Sequence, residues 1–155
     1  LRNENGNEDY QEFVESLGQI VDLGTHKGYD GGLKQGANGT KTPYYSDSFR
    51  EVIFHTGTYM PTEWDDSQQL QKKRCIGNDH VKIIWSENYR DYRHDTLTGH
   101  FNQAHIIIYP LDNNLYRVGV SKGNVGTSET EPMGDFGPLK DSTVVTKESL
   151  AFLVR

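Results

Sequence analysis

Near the start of the chain, apolar residues fall at Tyr10, Phe13, Val14, Leu17, Ile20 and Val21, in steps of three, four and seven. That spacing lines one face of a helix, so a helix is predicted over residues 10–21 with Asp9 placed to cap it. The periodicity then dissolves into a glycine-rich loop from Leu23 to Gly39, with a short strand expected near Gly32-Leu33. Pro43-Tyr44-Tyr45 reads as another short strand. Aromatic and β-branched residues favour a strand within Phe49–Thr58, closed by Pro61. The acidic run Thr62–Ser67 sets up a helix start, with Asp65, Asp66 or Ser67 as the cap. Lys72, Lys73 and Arg74 then lie in the last turns, where cations suit the negative end of the helix dipole.

Val81-Lys82-Ile83-Ile84-Trp85 alternates as a strand should. Ala104–Tyr109 is a near-continuous apolar run, the pattern of a strand buried on both faces. Asn113-Asn114 reads as a turn, and Leu115–Val120 alternates again. Strands joined so tightly predict an antiparallel hairpin. Residues 121–143 read as loop, and Thr146 can cap a helix that begins at Lys147 and runs to Arg155. The expected class is α/β: a single domain over residues 1–155, with a mixed central β-sheet flanked by helices. The abrupt start and finish suggest a domain cut from a longer protein.

Composition removes several functions. A formal charge of −6 argues against a general nucleic-acid binder, so the basic stripe at Lys72–Arg74 is a local contrast on an acidic protein. One cysteine forbids an internal disulfide and suits a reducing, cytoplasmic setting. No GxxxxGK[ST] sequence is present, so the chain does not read as a P-loop nucleotide binder. Cys75 and the histidines at 26, 55, 80, 94, 100 and 105 lack metal-ligand spacing. Cys75 sits beside lysines with no recognisable paired acid, which sets a cysteine hydrolase aside. Asp65 and Asp66 are adjacent and point apart on a helix, so they make no catalytic carboxylate pair. His105 reads as a satisfied core histidine. No run reaches the length of a membrane span, and no signal-peptide pattern opens the chain.

The stretch Gln68–Asp79 is the most distinctive. It reads as a basic helix, a glycine stop at Gly77 and a short polar side chain, Asn78, held at the tip in front of a strand. Glycine at the stop is expected in the positive-φ conformation that closes many helices. An asparagine carboxamide offers donors and an acceptor without charge, which suits a group that enters a crowded, phosphate-rich site. On the residues alone, Gly-Asn is also an ordinary turn pair, and the three cations also fit a solvated helix face.

The run Lys-Lys-Arg-Cys-Ile-Gly-Asn-Asp (72–79), followed by an apolar strand, resembles the signature of the Rap/Ran-type GTPase-activating (GAP) domain family. Phe54–Pro61, Phe101-Asn102 with Ile106-Ile107-Ile108, and Phe136-Gly137-Pro138 resemble further family elements in the same order. Tyr10 to Leu17-Gly18, Gly31-Gly32-Leu33, Met60-Pro61-Thr62, Gly99-His100-Phe101-Asn102 and Pro110-Leu111-Asp112 resemble the tuberin branch. Trp85-Ser86-Glu87 and Asp91-Tyr92-Arg93 resemble the Ral-directed branch. The chain departs from the pattern at Cys75, where many members carry His, and it stops before the further helix usual at the end of the domain.

The resemblance implies that Asn78 is a catalytic asparagine thumb, inserted into a partner GTPase to orient the attacking water. Lys72, Lys73 and Arg74 would dock on the partner, Gly77 would let the tip approach closely, and Asp79 would fix the turn, with Cys75 in a supporting place. The tuberin branch implies Rheb as the small GTPase, a parent protein that pairs with hamartin, and recruitment to the lysosomal surface. GTP and Mg²⁺ would be bound by the partner, with no cofactor or metal held by this chain and no membrane insertion. A Ral- or Rap-directed GAP, or a non-catalytic GTPase-binding scaffold, is the alternative.

Overall fold

The computed structural model describes residues 4–93, 101–122, 137–140 and 142–155. The chain divides into two compact units, Leu1–Ile76 and Gly77–Arg155.

In the first unit, helix α1 spans Glu8–Ser16 and buries Phe13 and Val14. Its cap is Asn7, not the expected Asp9: the Asn7 side-chain oxygen accepts from the Tyr10 amide at 2.9 Å. The helix is also shorter than its apolar spacing predicted. Ile20 and Val21 belong to strand β1, Gln19–Asp22. The cause lies at Gly18, where an added Cβ would sit 2.3 Å from the Tyr44 carbonyl oxygen. Close passage of a neighbouring strand forces the chain out of the helix there.

That neighbour is β2, Lys41–Ser46, which lies between β1 and β3, Glu51–Ile53, in an all-antiparallel sheet ordered β1-β2-β3. The Pro43-Tyr44-Tyr45 strand is therefore as expected, while the strand sought over Phe49–Thr58 has only three residues and ends well before Pro61. Asp47 builds the turn into it, accepting from the Phe49 amide at 2.8 Å and the Arg50 amide at 3.1 Å. No strand forms at Gly32-Leu33: Gly31 and Gly32 take φ of 57° and 81° in a turn that buries Leu33. Helix α2, Leu70–Gly77, follows.

The second unit is a four-stranded mixed sheet ordered β4-β5-β6-β7. Strand β4 is Val81–Trp85, β5 is Ala104–Pro110, β6 is Leu115–Lys122 and β7 is Thr143–Thr146. The β4–β5 pair is parallel and the others are antiparallel. Helix α3, Lys147–Val154, packs on β6 and β7 and buries Leu150, Ala151 and Val154. The α/β class and the mixed sheet are as expected. The second sheet of β1–β3 is an addition, and so is β7, a strand too short to show alternation. The expected β5–β6 hairpin is present, turning through Asn113 (φ 61°) and Asn114 (φ 56°). Consecutive left-handed residues match the twist of a hairpin, and asparagine tolerates them better than most.

One face of this sheet is apolar: Ile108 and Val118 are fully buried, and the Trp85 ring meets the Tyr116 ring at 5.6 Å. The opposite face sets Lys82, His105, Tyr109 and Arg117 beside the aliphatic Ile84 and Ile107. His105, fully buried, meets the Asn102 carboxamide nitrogen through Nε2 at 2.6 Å, so its reading as a satisfied core histidine holds. The stretch before residue 93 lies over this face. The Tyr92 amide donates to the Tyr109 hydroxyl at 2.9 Å, and the Tyr92 ring stands edge-on to His105. The Arg117 guanidinium stacks 4.0 Å from the Tyr109 ring centre and pairs with Asp91 at 3.2 Å. Gly99-His100 and Phe136, two of the resemblances, lie outside the described residues.

Candidate functional site

The approach to α2 is fastened by buried polar groups. Gln69 is 4% exposed and takes φ of 52°, an uncommon backbone for a residue with a side chain. Its amide nitrogen donates to the Glu63 carbonyl at 2.7 Å and the Asp66 carbonyl at 2.6 Å, while its own carbonyl accepts from the Lys73 amide. The Asp66 carboxylate accepts from the amides of Gln68 and Leu70, so Asp66, among the three candidates, caps the helix start.

Lys72 corrects an expectation. It is 2% exposed, and its ammonium donates to the Thr62 hydroxyl at 2.7 Å. A side chain so placed holds the preceding segment and is not offered to a partner. Burial pushes its pKa below the ordinary lysine value, and the charge of Glu4 partly offsets this. Lys73 and Arg74 are exposed, so the basic surface consists of two cations rather than three. Cys75 is half-buried with a free thiol.

Gly77 corrects a second expectation. It is the last residue of α2, and its φ is not in the positive region. An added Cβ would meet nothing within 4 Å. Neither backbone conformation nor crowding among the described residues explains glycine here. Asn78 follows in the turn, exposed, and it too lies outside the left-handed region that Asn113 and Asn114 occupy. Its carboxamide enters no hydrogen bond among the described residues. The turn reading, which accounts for Asn113-Asn114, thus gives no reason for asparagine at 78.

The turn itself is anchored. The His80 carbonyl accepts from the Gln103 amide at 2.7 Å and the Ala104 amide at 3.1 Å, and the His80 ring faces Phe101 at 6.1 Å. Asp79 is half-buried and acts on Lys82, which is 3% exposed on β4 opposite His105. Burial lowers the Lys82 pKa, and the Asp79 charge works against that. Lys82, Asn102 and Gln69 are the residues that periodicity did not single out. The alternation of Val81, Ile83 and Trp85 puts Lys82 on the polar side of its strand, so nothing in the pattern signalled its burial.

Among the described residues no three His, Cys, Asp or Glu side chains gather as a metal site, and no helix is long and apolar enough to cross a membrane. The segment exposes the Asn78 carboxamide at a helix-to-strand turn, preceded by the exposed cations Lys73 and Arg74. The family model described as Rap/ran-GAP matches residues 1–155. The chain belongs to the Rap/ran-GAP family. Among relatives of this Rap/ran-GAP chain, a probable Rho GTPase-activating protein of Drosophila melanogaster is 42% identical over 100% of the chain and 8% of its own length. The mouse Ral GTPase-activating protein subunit alpha-2 is 42% identical over 99% of the chain and 8% of its own length. The chain thus spans less than a tenth of these relatives. The solved structure of the TSC2 GAP domain superposes with a TM-score of 0.80 at 27% identity, covering 99% of this chain and 82% of that one.

Proposed function

We propose that this Rap/ran-GAP domain stimulates GTP hydrolysis by a Ras-family small GTPase and supplies Asn78 in trans. The observation that carries this reading is the exposed carboxamide of Asn78, placed in the turn after α2 with no bond among the described residues to occupy it. A small GTPase hydrolyses GTP slowly because the attacking water and the developing charge are poorly managed. Asn78 would hold that water in line with its carboxamide, accepting and donating at once, without competing for the water's proton. The open space at Gly77 lets the turn come close to the nucleotide. Lys73 and Arg74 would complement acidic surface on the partner and speed encounter. GTP and Mg²⁺ arrive with the partner; this chain contributes position and hydrogen bonding.

The tuberin-like residues support Rheb as that partner, with hamartin reached through the rest of the parent protein at the lysosomal surface. Relatives named as Ral GTPase-activating protein subunits, at 42% identity, support a Ral-type GTPase with equal weight. A non-catalytic scaffold would use the same carboxamide for binding alone and would leave the hydrolysis rate unchanged. The test is single-turnover hydrolysis by Rheb, Ral and Rap, each with this chain and with Asn78→Ala. One GTPase is expected to respond, and Asn78→Ala should lose about 100-fold in rate or more while still binding it. Equal acceleration by the alanine variant would sink the asparagine mechanism, and no response from any of the three would favour a scaffold.

A further inference from the structure

Asn78 has no side-chain bond of its own to fix it, so the pose of its carboxamide is inherited from the backbone of the turn. On the side of the second unit, that backbone is held at the His80 carbonyl by the amides of Gln103 and Ala104. These two residues are bracketed. Asn102 and His105, each fully buried, join side chain to side chain at 2.6 Å across them. Both polar groups have been taken out of water, which costs free energy unless they are well paired, and the Asn102 Oδ1 meets no donor among the described residues. The packing of an apolar core would have been served more simply by two aliphatic residues. What the pair supplies is a bridge that spans Gln103 and Ala104, the two residues whose amides hold the Asn78 turn. The ring of Tyr92 and the stem of Lys82 flank His105 from the covering segment and from β4.

We propose that the Asn102–His105 clasp is a positioning device for Asn78, setting the turn so that the carboxamide reaches the partner's active site already oriented. This rests on the reading of Asn78 as the group supplied in trans. Asn102 and His105 touch no substrate; they act through His80 and the turn. Misplacement of a catalytic group by about 1 Å can cost about 100-fold in rate. Opening the clasp is therefore expected to lower the rate at saturating domain by about 10- to 100-fold, with the half-saturating concentration changed less than about threefold.

The test uses the 155-residue chain with Asn102→Ala and His105→Leu, which open the clasp from either end, beside Asn78→Ala. Single-turnover hydrolysis is measured against whichever of GTP-loaded Rheb or Ral responds, and amide hydrogen exchange is followed in parallel. The expected result is a loss of saturating rate in both clasp variants, with faster exchange confined to Gln103 and Ala104. A saturating rate that stays at the parent level while Asn78→Ala is inactive overturns the proposal. So does a loss that tracks melting temperature and exchange throughout β5 and β6, since that is a purely structural role. If Asn78→Ala itself keeps full activity, the reading of Asn78 fails first, and exchange at Gln103 and Ala104 still reports whether the clasp holds the turn.

Discussion

Lys72 donates its ammonium proton to the Thr62 hydroxyl at 2.7 Å from a position almost closed to solvent, whereas its neighbour Lys73 is exposed. Adjacent lysines thus do different work. Lys72→Ala should lower stability by about 2–3 kcal/mol through lost stem packing and the lost charge-assisted bond, with association of the folded chain unaffected. Denaturant midpoints and association rates measured on the same samples check both halves.

Lys73→Glu and Arg74→Glu should behave in the opposite way. Stability should stay within about 0.5 kcal/mol of the parent, while the association rate with the partner GTPase falls about tenfold at low salt. The difference should shrink as salt rises, because exposed charges are screened. Stopped-flow association at two ionic strengths is the measurement.

Burial lowers the pKa of Lys72 below the ordinary lysine value. In the window between that lowered value and the ordinary one, the unfolded chain holds a proton that the folded chain has released. The stability of the folded state therefore rises with pH across this alkaline window and is flat below it. Lys82 shares the direction. Lys72→Met should flatten part of the rise and leave the remainder to Lys82, as read from unfolding curves collected across the alkaline range.

Asn78 and Asn114 make a second contrast. Asn114→Val places a β-branched residue at φ of 56° and should cost about 1–2 kcal/mol. Asn114→Gly should be neutral or stabilising. Asn78→Ala removes no bond among the described residues and should leave the melting temperature unchanged. A marked drop for Asn78→Ala would give the residue a structural task instead.

Gly77→Ala meets open space and needs no change of backbone, so it should raise helix stability by about 0.5 kcal/mol. If the missing side chain serves approach of the partner, the same substitution weakens GTP hydrolysis. A variant that gains melting temperature and keeps the full rate would remove Gly77 from the contact.

The sequence made β4, β5 and β6 legible because alternation and buried apolar runs survive in strands of five to eight residues. It overran α1 because Ile20 and Val21 continue a helical spacing that only the passage of Tyr44 past Gly18 interrupts, a contact distant in the chain. β7 and β3 are too short for any period to show. At the site, the tip residue Asn78 was legible from its motif. The burial of Lys72 was not, because three consecutive cations look alike in sequence and only the packing of residue 62 against residue 72 separates them.

The parallel pairing of β4 with β5 also orders events in time. The β5–β6 hairpin closes through a turn of a few residues, whereas β4 must pair with a strand well separated from it in sequence. Local closure precedes distant closure when chain entropy is what must be overcome. The hairpin is thus expected to be in place before β4 docks, and the segment carrying Asn78 acquires its final pose at the close of folding. Pulsed hydrogen labelling should find the amides of β6 protected earlier than those of Gln103 and Ala104, whose acceptor arrives with β4. A chain still folding would then display the β5–β6 hairpin before Asn78 reached its final pose.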